Sequence, residues 1–138
     1  MPVVKDLIRV EKDGSISFGN YELPEKAKLS DFEYKGDLYK VKTYREITKL
    51  ERNGMFVYES VPGTAVHNFT VSGSRITFDV EGSEDAQITI QMEEDREYEV
   101  FVNDISTGSE RTNLSGKLVI SVEMDREQPI SIRIEERE

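Results

Sequence analysis

The sequence predicts an all-β fold, an antiparallel β-sandwich whose sheets each bury one face. Three observations carry this expectation. Apolar and polar residues alternate over Ile76–Val80, Leu118–Met124 and Ile130–Glu135, and a period of two sends one set of side chains into a core and the other into water. Turn-forming pairs recur at short intervals. Apolar spacing of the helical kind is nearly absent.

Taken in order, Leu7–Glu11 and Ser15–Phe18 read as strands parted by Asp13-Gly14. Pro24–Ser30 reads as a loop. Phe32–Tyr34 and Leu38–Tyr44 flank Lys35-Gly36-Asp37, and Ile47–Glu51 and Met55–Glu59 flank Asn53-Gly54. Asn-Gly is the strongest of these signals, because a type I′ hairpin needs positive φ at both central residues. Tyr44–Arg52 also admits a short helix, with Ile47 and Leu50 at i and i+3, but its β-branched residues and the adjoining Asn-Gly favour a strand. Past Pro62-Gly63 come strands at Asn68–Val71, Arg75–Val80, Gln87–Met92, Glu97–Val102, Glu110–Asn113, Lys117–Met124 and Ile130–Glu135. Their shared register places Ile76, Phe78, Val80, Ile88, Ile90, Tyr98, Val100, Val102, Leu118, Ile120, Val122, Ile132 and Ile134 in one core.

Pro62-Gly63 divides the chain into an aromatic-rich hairpin meander (1–61) and an Ile/Val-rich sandwich (62–138), expected to pack into one compact unit. About seven short strands in the second part is the number an immunoglobulin-like unit needs.

The chain of 138 residues carries 28 acidic and 18 basic side chains, a formal charge of −10. That excess argues against nucleic acid, whose phosphates want clustered Lys and Arg, and against an anionic membrane; it favours solubility. There is no cysteine to report on redox compartment. The start, Met1–Asp6, meets charge at once and resembles no signal peptide, and no apolar run is long enough to span a bilayer. Pro2 in place of a glycine excludes myristoylation. A cytoplasmic location is expected.

The C-terminal half carries a recurrent pattern: Tyr98-Glu99-Val100-Phe101-Val102-Asn103, a turn through Gly108, then Thr112-Asn113-Leu114-Ser115-Gly116-Lys117-Leu118 and Ser121-Val122. It resembles the small immunoglobulin-like or fibronectin-like modules appended to bacterial carbohydrate-active enzymes. The resemblance implies a fold and no site. Val3–Val10, Phe18-Gly19-Asn20-Tyr21 and Phe56–Ala65 are similar to small clostridial proteins labelled endosialidase-like. Sialidase chemistry needs three arginines on the substrate carboxylate, a Tyr–Glu nucleophile pair and Asp boxes ending in Trp. This chain has no Trp and no Asp box, so no residue of that machinery is carried over.

Candidate chemistry is sparse. His67, the only histidine, cannot build a multi-histidine metal site. It reads as structural, with a general base or a pH sensor as sharper alternatives; no nucleophile elbow accompanies it. Glu93-Glu94-Asp95 and Glu81–Asp85 read as solvated loops, with calcium as the sharper alternative and without EF-hand spacing. Asn68-Phe69-Thr70 and Asn113-Leu114-Ser115 match a glycosylation sequon and read as chance. No catalytic residue, metal site or cofactor is expected.

The tyrosines are the best binding candidates. Tyr39, Val41 and Thr43 share one face of a strand, and Leu38, Lys40, Lys42 and Tyr44 share the other. With the first face inward, Lys40, Lys42 and Tyr44 form an exposed patch, to which Tyr34 and Tyr58 are added as neighbours. Rings of this kind anchor protein interfaces or stack on sugars. The expected function is therefore a non-catalytic interaction or structural module, working as a homo-oligomer or on a protein partner. A carbohydrate-binding accessory module that takes a glycan is the alternative, and a small carboxylate-dependent glycosidase the second.

Overall fold

The computed structural model describes residues 3–137. Its thirteen strands are β1 (Ile8–Val10), β2 (Ile16–Phe18), β3 (Ala27–Tyr34), β4 (Asp37–Tyr44), β5 (Ile47–Arg52), β6 (Met55–Val61), β7 (Ala65–Ser72), β8 (Arg75–Glu81), β9 (Ala86–Gln91), β10 (Glu97–Val102), β11 (Ile105–Arg111), β12 (Lys117–Val122) and β13 (Ile130–Glu136). There is no helix among the described residues, and Tyr44–Arg52 holds the end of β4, a turn and β5. A two-residue turn at Arg45-Glu46 sets Tyr44 against Ile47.

The strands form two antiparallel sheets packed face to face. One has seven strands in the order β1-β2-β7-β8-β13-β10-β11, and the other six in the order β12-β9-β6-β5-β4-β3. Each sheet draws strands from both sides of Pro62. The meander β3–β6 continues into β9 through the pairs Tyr58↔Ile90 and Ser60↔Ile88, and β2 pairs with β7.

Asn53 and Gly54 have φ of 52° and 79°, the two left-handed residues that a type I′ turn requires, and Arg52↔Met55 closes the hairpin. The loop expected at Pro24–Ser30 ends early, because β3 begins at Ala27. Ser30 and Asp31 together oppose one residue of β4, and Asp31 has φ of 60°. This bulge breaks the alternation that would have marked the strand. The strand expected at Glu110–Asn113 and its turn through Gly108 are also displaced. The turn is Asn103-Asp104, with φ of 51° and 67°, and Gly108 lies within β11 near a register shift between Glu99 and Phe101.

All the expected core residues are buried except Val102, which is half-buried against the cluster. The first half of the chain adds Ile8, Ile16, Phe18, Tyr39, Val41, Leu50 and Tyr58. Tyr58 projects from the six-stranded sheet into rings of the opposite sheet, edge-on to Phe18 at 5.3 Å and to Phe78 at 5.9 Å. Such T-shaped pairs add about 0.5–1.5 kcal/mol each beyond their area. No described helix is long and apolar enough to cross a membrane.

Candidate functional site: the outward face of the six-stranded sheet

β4 presents the two faces that its sequence alternates. Tyr39, Val41 and Thr43 are buried, and Lys40, Lys42 and Tyr44 point outward. The register then assembles a row of cations. Lys28 of β3 lies directly opposite Lys42 of β4, and Lys42 directly opposite Lys49 of β5. The same row continues through Glu59, Thr89 and Val119 to the far edge of the sheet. Directly opposed side chains sit about 4.5–5.5 Å apart at Cβ, and like charges in that position repel.

Neutralisation is partial. Among the described residues the ion pair here is Lys49 Nζ to Glu51 Oε2, at 3.6 Å. Glu51 lies opposite Lys40. The ends of Lys28, Lys40, Lys42, Lys49 and Glu51 surround a shallow hollow of about 80 Å³. Four ammonium groups against two carboxylates, Glu51 among them and Glu59 directly opposite Lys49, leave a local surplus of positive charge on a chain whose formal charge is −10. Tyr44 stands at the end of this face, half-exposed, with the Lys26 ammonium 6.0 Å from its ring centre.

The six expected binding residues thus separate. Lys40, Lys42 and Tyr44 share the outward face. Tyr58 is wholly buried and Tyr39 nearly so, each on the inner face, and neither belongs to the outward patch. Tyr34 is half-buried at one open end of the sandwich. Its hydroxyl donates to the Gly14 carbonyl, and its ring packs edge-on against Tyr39 at 5.7 Å. Lys28 and Lys49 were missed from sequence. The Arg45-Glu46 turn makes Lys49 the partner of Lys42, a signal that was there to use. Lys28 reaches its place only through the β3 bulge, which composition does not announce.

Several of the other candidate groups have structural partners. His67 Nε2 lies 2.9 Å from Glu81 Oε2. Asp95 pairs with Arg111 at 2.9 Å, and Asp85 Oδ1 accepts the Met124 N–H. Among the described residues no group of three or more His, Asp or Glu is placed to hold a metal ion. Asn113 Oδ1 accepts the N–H groups of Ser115 and Lys117, closing the turn before β12. Asn68, with φ of 57°, donates from Nδ2 to Ser15 Oγ at 3.1 Å.

A buried chain of hydroxyls fixes the sheet that carries the lysines. Asn20 N–H donates to Thr43 Oγ1, which lies 2.8 Å from Thr48 Oγ1. Thr48 gives its one proton to the Thr64 carbonyl and accepts the Thr64 N–H. The proton between the two threonines is therefore Thr43's. Burial pushes the Tyr58 phenol up, so it stays protonated; its hydroxyl lies 2.8 Å from Thr64 Oγ1, which Ser60 Oγ also contacts at 2.8 Å.

Comparison with protein-family models, with curated proteins and with solved structures returns no match to this chain.

Proposed function

We propose that the protein is a non-catalytic interaction module that docks a carboxylate-rich protein surface on the outward face of β3–β5. One observation carries the reading. Lys42 stands in direct register between Lys28 and Lys49, with Lys40 beside them and two carboxylates near, Glu51 and Glu59, both beside Lys49. A fold gains nothing in stability from three opposed like charges. An external anion relieves their repulsion, and a positive patch steers acidic partners to itself. Tyr44 supplies a ring with a polar tip at the end of the patch, a residue type suited to interfaces. The immunoglobulin-like reading of 62–138 belongs to the same proposal. It is supported by the seven strands between Ala65 and Glu136 in two antiparallel sheets.

The test is fluorescence anisotropy with a labelled oligo-glutamate peptide. Binding at about 10 mM salt, where charges reach about 30 Å, should fall steeply by about 150 mM, where they reach about 8 Å. Lys42→Glu with Lys49→Glu should abolish it. No binding at low salt overturns the reading, as does a double variant that binds like wild type. Salt-independent binding of a neutral oligosaccharide on the same face would favour the carbohydrate module instead.

A further inference from the structure

We infer that the open end of the sandwich, away from the lysine face, is a binding site for a small ring-bearing carboxylate. A cleft of about 290 Å³ opens there between the two sheets, where the β1–β2 turn, the β3–β4 hairpin, the end of β5 and β7 meet. Its apolar wall is made by Ile16, Tyr34, Tyr39, Phe69 and Val71. Three of these are set in the core: Ile16, Phe69 and Tyr39 are 1%, 5% and 8% exposed. Tyr34 is pinned by its hydrogen bond to Gly14 and its contact with Tyr39. The wall is therefore formed before any ligand arrives, which spares the ordering cost of binding. Val71 is 59% exposed at the rim, an apolar side chain that an occupant of the cleft would cover.

Four charged side chains line the same cleft: Asp13, Lys35, Asp37 and Arg52. The two acids are engaged in their own turns. Asp13 Oδ1 accepts the Ser15 N–H and hydroxyl, and Asp37 Oδ1 accepts Asn53 Nδ2 at 2.9 Å. The two cations differ. Among the described residues neither makes an ion pair; the Lys35 ammonium lies 5.3 Å from the Tyr34 ring centre, and Arg52 sits beside the Tyr39 hydroxyl. The donors left over are thus the rest of the Arg52 guanidinium, beyond its contact with the Tyr39 hydroxyl, with an ammonium nearby, and a guanidinium edge matches a carboxylate with two parallel hydrogen bonds. A volume at the small end of ligand pockets, about 300 Å³ and upward, limits the apolar part to one ring.

The probes are benzoate and its neutral isostere benzamide, titrated into the full chain and followed by the ring signals in aromatic NMR spectra. Benzoate should shift Tyr34, Tyr39 and Phe69 and bind about tenfold tighter than benzamide, the margin of one charge-assisted pair. Arg52→Gln should bring benzoate to the affinity of benzamide and leave benzamide unchanged. The exposed position of Arg52 keeps that variant folded, and benzamide binding reports on the cleft itself. Equal affinity for the two probes in wild type overturns the inference. So does the absence of ring shifts with either probe, or an advantage of benzoate that survives in Arg52→Gln.

Discussion

The hydroxyl of Tyr58 lies 2.8 Å from Thr64 Oγ1, and neither residue exposes any surface. This one contact joins the ring at the centre of the core to the segment between β6 and β7. Ser60 Oγ meets the same Thr64 oxygen, so Thr64 serves two buried hydroxyls. Thr64→Val keeps the shape and strands both. It should cost about 2–6 kcal/mol, since each of the two buried groups left unpaired costs about 1–3 kcal/mol. Tyr58→Phe removes one of the two hydroxyls and leaves Thr64 its contact with Ser60, so its cost should be smaller, about 1 kcal/mol. Urea denaturation of the two variants checks the order, and a larger loss for Tyr58→Phe would contradict the assignment.

Gly63 bears on the same region. A Cβ there would collide with the Tyr44 carbonyl oxygen, which is backbone and cannot swing aside. Gly63→Ala should therefore destabilise more than Gly54→Ala, although Gly54 is the residue with positive φ, at 79°. A Cβ on Gly54 meets nothing within 4 Å, so its penalty is conformational alone, roughly 1–2 kcal/mol. Thermal melts of the two single variants settle the comparison, and equal melting temperatures would contradict it.

The fold was largely legible because most strands obey one simple rule. β8, β12 and β13 alternate without interruption, and their inward residues, Ile130 apart, follow from the period alone. Asn53-Gly54 announced its turn by residue type. What escaped the sequence lies at bulges. At Ser30-Asp31 and around Gly108 an extra residue breaks the alternation, so a strand resembles a loop. The candidate site was legible in part for the same reason. Lys40, Lys42 and Tyr44 follow from alternation along one strand. Lys28 and Lys49 depend on register between strands, and Tyr58 was misplaced because an aromatic on a hairpin reads alike whether it faces the core or water.

Acid should weaken the fold through Glu11. A hydrogen bond from Ser17 holds its carboxyl below the usual value of 4.5, against the effect of burial and with help from Arg9 and His67. A carboxyl whose value is lower in the folded state adds stability above the unfolded value. That stability is lost as pH falls through the folded value. Glu11→Gln should be less stable than wild type at pH about 6, and the gap should close as pH falls below about 4. Urea midpoints across that range are the measurement, and a gap that does not change with pH would contradict the linkage to Glu11.

Ser17 deserves its own variant. Its hydroxyl donates to Glu11 and accepts the N–H of Asn68 at 3.0 Å, tying the first hairpin to β7. Ser17→Ala leaves that N–H without its partner in a position where the Ser17 side chain is fully buried. A loss of about 1–3 kcal/mol is expected in chemical denaturation, and a loss under about 0.5 kcal/mol would indicate another partner for Asn68.

The lysine row makes a prediction about stability that a purely structural role would not. Lys42→Glu replaces two repulsive cross-strand neighbours, Lys28 and Lys49, by attractive ones. Each such pair is worth about 0.2–1 kcal/mol, so the variant should melt higher than wild type. Added salt should raise the wild-type melting temperature by screening the repulsion and raise that of Lys42→Glu less. A lower melting temperature for Lys42→Glu would mean that the lysines stabilise the sheet.

The most direct test of the docking face is a residue-resolved footprint, the amide NMR spectrum of the full chain titrated with an unlabelled oligo-glutamate peptide at low salt. The account predicts shifts gathered on Lys28, Lys40, Lys42, Tyr44 and Lys49, reversed by added salt. Shifts spread over the molecule, or gathered on the seven-stranded sheet with β3–β5 unmoved, would contradict it.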